Sequence, residues 1–163
     1  CAAHLNDVLD TLVYLRHETD VWVEITTLLI PGLNDSEAEI AAECAWIREH
    51  LGSEVPLHFT AFHPDYKMRD RPPTPPATLA RARRIAVNEG LQFVYTGNVH
   101  DADGGTTSCP GCGADVIVRD WSSMRRYELT DSGCCRHCGT RLSGVYDGPV
   151  GSWGARRLPL HIA

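Results

Sequence analysis

Apolar residues recur at Leu5, Val8, Leu9, Leu12, Val13 and Leu15, close to the i, i+3, i+4, i+7 spacing of one buried helix face, and predict a helix over about residues 4–17. The run Val21-Trp-Val-Glu-Ile-Thr-Thr-Leu-Leu-Ile30 is β-branched and almost continuously apolar, as suits a central parallel strand covered on both faces, and Pro31-Gly32 ends it. Ser36-Glu-Ala-Glu39 then has the form of a capping box, ahead of a helix with Ile40, Cys44, Ile47 and Leu51 on one face and Gly52 at its stop. Pro56-Leu-His-Phe-Thr-Ala-Phe62 reads as a second strand. After a loop carrying Pro72, Pro73, Pro75 and Pro76, Thr74 is expected to cap a third helix and Pro75 to take its first position, with Leu79, Ala82, Ile85 and Ala86 inward and Gly90 at the end. Leu91-Gln-Phe-Val-Tyr-Thr96 is the third strand.

Helix and strand alternate three times, the order of right-handed parallel β/α winding. Three parallel strands are a thin core for helices that cover mainly one face, so residues 1–100 are expected to be the back half of a larger β/α barrel, partnered by a missing N-terminal half. The chain begins Cys1-Ala-Ala-His4 without an initiator Met, which fits that expectation of a fragment. The glycine- and aspartate-rich stretch 97–107 marks the boundary. Residues 101–163 then read as a second domain with a C-terminal tail, with short strands expected at Val116–Arg119, Tyr127–Thr130 and Arg141–Tyr146.

Alternating with those strands lie Cys109-Pro-Gly-Cys112-Gly113 and Cys135-Arg-His-Cys138-Gly139. Two residues between sulfurs let one tight turn bring both onto a single ion, and the following glycine lets the backbone turn back toward them. Doubled in this way, the spacing predicts a zinc ribbon with Cys109, Cys112, Cys135 and Cys138 as ligands; iron on the same four sulfurs is the alternative. Disulfides fit less well, because the seven cysteines are odd in number and no secretory signal peptide precedes them. Cys134 adjoins the second pair, but Cys135 keeps the Cys-x-x-Cys-Gly pattern. So small a module draws much of its folding free energy from the metal.

Charge narrows the partners. Against 15 Lys and Arg stand 21 Asp and Glu, a formal net charge of −6, which argues against a nucleic-acid partner. No apolar run is long enough to span a membrane, and the cytoplasm is the default location.

At the C-terminal ends of parallel strands, where reactive groups gather, lie His63-Pro64-Asp65-Tyr66 after the second strand and Asn98, His100 and Asp101 after the third. Glu24 and Thr26 share a face of the first strand, where Glu24 either lines a cavity or forms an ion pair. His58, within a strand, is expected to be a satisfied core histidine, Cys44 a buried structural thiol, and His137 an exposed residue between two ligands.

The runs Thr11–Ser36, Leu57–Met68, Tyr95-Thr-Gly-Asn-Val-His100, the Cys-Pro-Gly-Cys-Gly ribbon and the tail Trp153-Gly-Ala-Arg-Arg-Leu-Pro159 resemble the C-terminal part of the AmmeMemoRadiSam system radical SAM enzymes, a group similar to pyruvate formate-lyase activating enzymes. The resemblance implies an oxidoreductase whose partial (β/α)6 barrel holds a [4Fe–4S] cluster and S-adenosylmethionine. It implies too that Thr26, Leu29 and Ile30 lie near the adenosyl group and that His63 matches a cofactor-contacting histidine. A protein substrate or a Memo-like system partner would accompany it. The family's Cys-x3-Cys-x2-Cys cluster motif is absent from this sequence, so the chain is expected to be inactive alone. A non-catalytic zinc-ribbon module that engages a partner protein is the rival reading.

Overall fold

The computed structural model describes residues 4–121 and 123–146. In chain order the elements are α1 (Leu5–Glu18), β1 (Ile25–Leu29), α2 (Glu37–His50), β2 (Leu57–Ala61), α3 (Pro76–Asn88), β3 (Val94–Gly97), β4 (Thr106–Ser108), β5 (Asp115–Asp120) and β6 (Ser123–Tyr127). They fall into two units that divide between Gly104 and Gly105. The first half of the glycine-rich linker belongs to the first unit, because Thr96 N–H donates to Gly104 O and the Asp101 carboxylate accepts from the Thr96 hydroxyl and the Gly104 N–H.

In the first unit β2 lies between β1 and β3, all parallel, with Ile25 opposite Leu57 and Leu57 opposite Val94. Strand alternation sends Leu57 and Phe59 to one face and His58 and Thr60 to the other. Leu29, Leu57, Phe59 and Val94 form the core with Ile40, Cys44 and Ile47 of α2 and Ala82 and Ala86 of α3, while Leu12 and Val13 of α1 pack at its margin. The faces read for α2 and α3 are therefore the ones buried, whereas α1 buries no residue fully and leaves Leu5 and Val8 of its expected face exposed. Cys44 is fully buried, and burial pushes its thiol up to about 12, which makes it an inert core residue.

The expectation of half a (β/α)6 barrel is overturned. Among the described residues the three strands form an open sheet with β1 and β3 as its edges, three helices accompany them, and the second unit holds a three-stranded antiparallel sheet. The physical reason is that alternating helices and strands specify parallel winding, whereas barrel closure depends on strand tilt and stagger that the order of elements does not encode.

Other expectations shift locally. Thr74 is not a helix cap: α3 starts at Pro76 with Pro75 as its N-cap residue. Thr74 is instead buried, its hydroxyl donating to Leu29 O at 2.6 Å and accepting from Phe62 N–H at 3.0 Å, while its own N–H donates to Phe62 O. One side chain thus ties the end of β1 to the residue after β2. Thr74→Val keeps the shape and strands the Phe62 N–H, so we expect a loss of about 2 kcal/mol. Urea denaturation measures it, and a loss below about 0.5 kcal/mol would show the tie to be idle. The capping box forms only in part: Glu39 N–H donates to Ser36 Oγ, but the Ser36 hydroxyl donates onward to the Glu39 carboxylate.

On the helix-facing side of β1, the Thr27 hydroxyl donates to Glu43 of α2. Burial pushes the Glu43 carboxyl above its ordinary value, with the Thr27 bond opposing. The folded state then holds the proton more tightly than the unfolded chain, and stability falls as pH rises through the carboxylate range. Glu43→Gln should remove that slope and gain most over the wild type near neutrality. Urea midpoints at about pH 4 and about pH 7 test this, and an equal change at both would refute it.

In the second unit β5 pairs antiparallel with β4 on one side and β6 on the other. Its core is Val116, Ile117, Leu129 and Leu142 with two cysteines, Cys109 and Cys135. Strand β5 lies where the sequence placed one. The expected strands at 127–130 and 141–146 do not form; isolated bridges, Leu129 with Cys135 and Cys134 with Arg141, stand in their place. Pairing in this region goes to the cysteine turns themselves, which use the backbone groups a longer strand would need.

Candidate metal centre

The two cysteine turns are built alike. Cys109 N–H donates to Ala114 O and Gly113 N–H to Cys109 O; Cys135 N–H donates to Thr140 O and Gly139 N–H to Cys135 O, all four bonds at 2.8 Å. Gly113 and Gly139 hold φ of 74° and 79°, a left-handed conformation that glycine adopts without strain. The same five-residue loop therefore appears twice, each presenting one buried and one exposed sulfur: Cys109 and Cys112 in the first, Cys135 and Cys138 in the second.

All four Sγ atoms lie within 4.8 Å of one another. Across the two turns Cys109 Sγ stands 3.6 Å from Cys138 Sγ, and Cys112 Sγ 3.8 Å from Cys135 Sγ. A tetrahedral ion with metal–sulfur bonds of about 2.3 Å would set its sulfurs about 3.8 Å apart. The donor set thus suits one ion, and the four-cysteine cluster can bind metal. His137 is exposed between the ligands, and Cys134 is half-buried within reach of the Ser132 hydroxyl.

Local charge chemistry makes the same point. The Thr140 hydroxyl and N–H hold the Cys138 thiol down at about 6. Although the Ala114 N–H favours the Cys112 thiolate, the neighbouring Cys138, Cys109 and Cys135 sulfurs push that thiol up to about 12. Four sulfurs so close cannot all ionise unaided, and a cation among them removes the repulsion.

The other candidate residues lie in the first unit. Glu24 pairs with neighbouring side chains: its carboxylate is hydrogen-bonded to His58 Nε2 at 2.8 Å and accepts from Trp22 Nε1 at 2.9 Å. His58 is consequently not the enclosed core histidine expected, but lies partly exposed on the sheet face away from the core, its ring 5.0 Å from that of Tyr95. Glu24 and His58 share a face because the strand register sets Thr26 opposite His58, a relation the sequence does not encode. Thr26 is exposed on that face, and Ile30 is half-buried just past β1. His63 is exposed after β2. Leu29 faces the other way and is fully buried in the core. Asn98 and His100 are exposed after β3, and Asp101 is engaged by Thr96 and Gly104. Tail residues 153–159, which carry part of the family resemblance, lie outside the described residues. Among the described residues no helix is long and apolar enough to cross a membrane.

No family model matches the chain. It is 42% identical over 146 residues to the uncharacterized protein MJ0808 of Methanocaldococcus jannaschii, an alignment that covers 89% of this chain and 44% of that protein. The chain thus spans less than half the length of this curated relative.

Proposed function

We propose that the four cysteines hold a structural zinc ion and that the chain serves as the C-terminal part of a longer radical S-adenosylmethionine enzyme of the activating-enzyme type. The observation that carries the zinc reading is the closed set of four thiols at tetrahedral spacing. A catalytic zinc keeps a position open for water or substrate, whereas a four-cysteine shell leaves none. The enzyme reading rests on the long sequence runs shared with that family, and it accords with a curated relative more than twice as long as the matched region.

The radical-generating cluster does not fit this chain. Outside the four ligands, Cys44 is sealed in the core, Cys134 is joined directly to a ligand cysteine, and Cys1 lies outside the described residues. The cluster would belong to another part of the longer protein, and no chemical step is assigned here. Thr26, Ile30 and His63 are the side chains that would meet S-adenosylmethionine, and a Memo-like protein is the partner the reading implies.

Elemental analysis should give one zinc per chain; iron with acid-labile sulfide would overturn zinc. The longer protein, loaded anaerobically with iron and sulfide, should cleave S-adenosylmethionine reductively to 5′-deoxyadenosine, and this chain alone should not. Failure of the loaded longer protein to do so would sink the enzyme reading and leave the zinc site standing.

A further inference from the structure

The two cysteine turns match position for position, Cys109-Pro-Gly-Cys112-Gly113-Ala114 against Cys135-Arg-His-Cys138-Gly139-Thr140, yet they differ at two places that the shared backbone does not explain. Gly111 stands where the second turn has His137, and Thr140 stands where the first has Ala114. Gly113 and Gly139 are required by their left-handed φ, but Gly111 is not among the glycines of positive φ, so its backbone would accept a side chain. Space forbids one. A Cβ on Gly111 would overlap the Thr140 hydroxyl oxygen and stand 3.0 Å from Thr140 Cβ and 3.3 Å from its Cγ2. The Thr140 side chain of the second turn thus lies directly against the bare backbone of the first.

Thr140 is also bonded within its own turn. Its carbonyl accepts from Cys135 N–H at 2.8 Å, and its hydroxyl lies 3.3 Å from Cys138 Sγ. Toward a metal-bound thiolate, which has no proton to give, that hydroxyl can only donate. On the other side of the contact, Gly111 N–H donates to Cys109 Sγ at 3.4 Å, and Cys109 Sγ is the sulfur that stands 3.6 Å from Cys138 Sγ. Thr140 and Gly111 therefore meet beside a pair of sulfurs contributed one by each turn. Cys138 is the exposed ligand of its turn, open to the water that would compete for the ion, whereas Cys135 is enclosed by the core. Hydrogen bonds from outside the ligand shell fix a ligand's orientation, and their loss ordinarily weakens metal binding by about 10- to 100-fold.

From this we infer that Thr140 is the positioning residue of the metal centre: its side chain, seated against Gly111, sets the spacing of the two turns, and its hydroxyl holds the exposed Cys138 sulfur on the ion. The inference rests on the zinc reading and is independent of the radical enzyme reading.

The test uses the full chain, with zinc affinity measured in competition with a chromogenic chelator and with cobalt(II) bound in place of zinc as a spectroscopic probe. Thr140→Val keeps the branched shape without the hydroxyl and should weaken zinc about tenfold or more. It should also move the sulfur-to-cobalt charge-transfer band to longer wavelength, because a sulfur that loses a hydrogen bond gives up electron density more easily. Thr140→Ser keeps the hydroxyl and should hold the wild-type band position and most of the affinity. Gly111→Ala should weaken zinc about tenfold or more in the otherwise wild-type chain. It should cost much less in a Thr140→Ala chain, where the hydroxyl and Cγ2 that the new methyl would meet are gone. Wild-type affinity with an unmoved band in Thr140→Val would overturn the proposal, as would a serine variant as weak as the valine one. Equal losses from Gly111→Ala in both backgrounds would do the same, and that comparison decides alone if Thr140→Val does not fold. A wild-type chain that takes up no zinc would sink the zinc reading and this inference with it, whereas zinc held equally by every variant would sink the inference alone.

Discussion

Replacing Cys135 with Ser in the full chain should abolish stoichiometric zinc binding and unfold residues 105–146 while the parallel-sheet unit stays folded. Cys135 is a ligand candidate and a core residue at once, only 2% exposed and bonded through its backbone to Thr140 and Gly139. The ribbon's other buried aliphatic side chains are Val116, Ile117, Leu129 and Leu142, worth on the order of 2 kcal/mol apiece. A structural zinc contributes on the order of 10 kcal/mol or more, as much as that whole apolar set. Loss of a ligand therefore removes the larger share of what holds the unit. Elemental analysis with limited proteolysis reads the result: zinc should fall well below one per chain, and cleavage should begin within residues 105–146. Chelation of the wild-type protein should reproduce it. Acid should as well, because protons compete with the metal for the thiolates. A variant that keeps its zinc and its protease resistance would show that the cluster is not what folds the ribbon.

The complementary result concerns the other unit. Phe59→Ala should destabilise the parallel-sheet unit by about 3–5 kcal/mol and leave zinc content unchanged. Phe59 is fully buried in the central strand, opposite Thr27 on one side and Thr96 on the other. Its ring belongs to the cluster formed by α2, α3 and all three strands, so truncation leaves a void that neighbours on several elements would have to fill together. Trp46, packed against that cluster, should report the transition by its fluorescence. A urea midpoint lower than wild type with an unchanged slope is the expected signature. A loss below about 1 kcal/mol, or a loss of zinc with it, would show that the core is not organised around β2 or that the two units fold as one.

Much of the local architecture is legible in the chain. The faces of α2 and α3 are readable because helical periodicity is a short-range property, and Ser36 caps α2 because its oxygen needs only a backbone N–H three residues away. The Cys-x-x-Cys-Gly repeats are readable for the same reason: each turn closes within five residues. Legibility fails where a contact spans the chain. Thr74 looks like a helix cap by its neighbours, yet its hydroxyl is taken by Leu29 O, forty-five residues away. His58 looks like a core residue by its apolar flanks, yet strand register sets it beside Glu24.

By itself, then, the sequence determined which residues could hold a metal, which faces of α2 and α3 would be buried, and that the strands of the first unit would run parallel. All of these follow from spacings of a few residues or from the order of elements. Only the tertiary structure decided that the sheet is open and not half a barrel, and that Cys109 meets Cys138 and Cys112 meets Cys135 across the two turns. Those outcomes depend on strand tilt and on register, and long-range packing sets both.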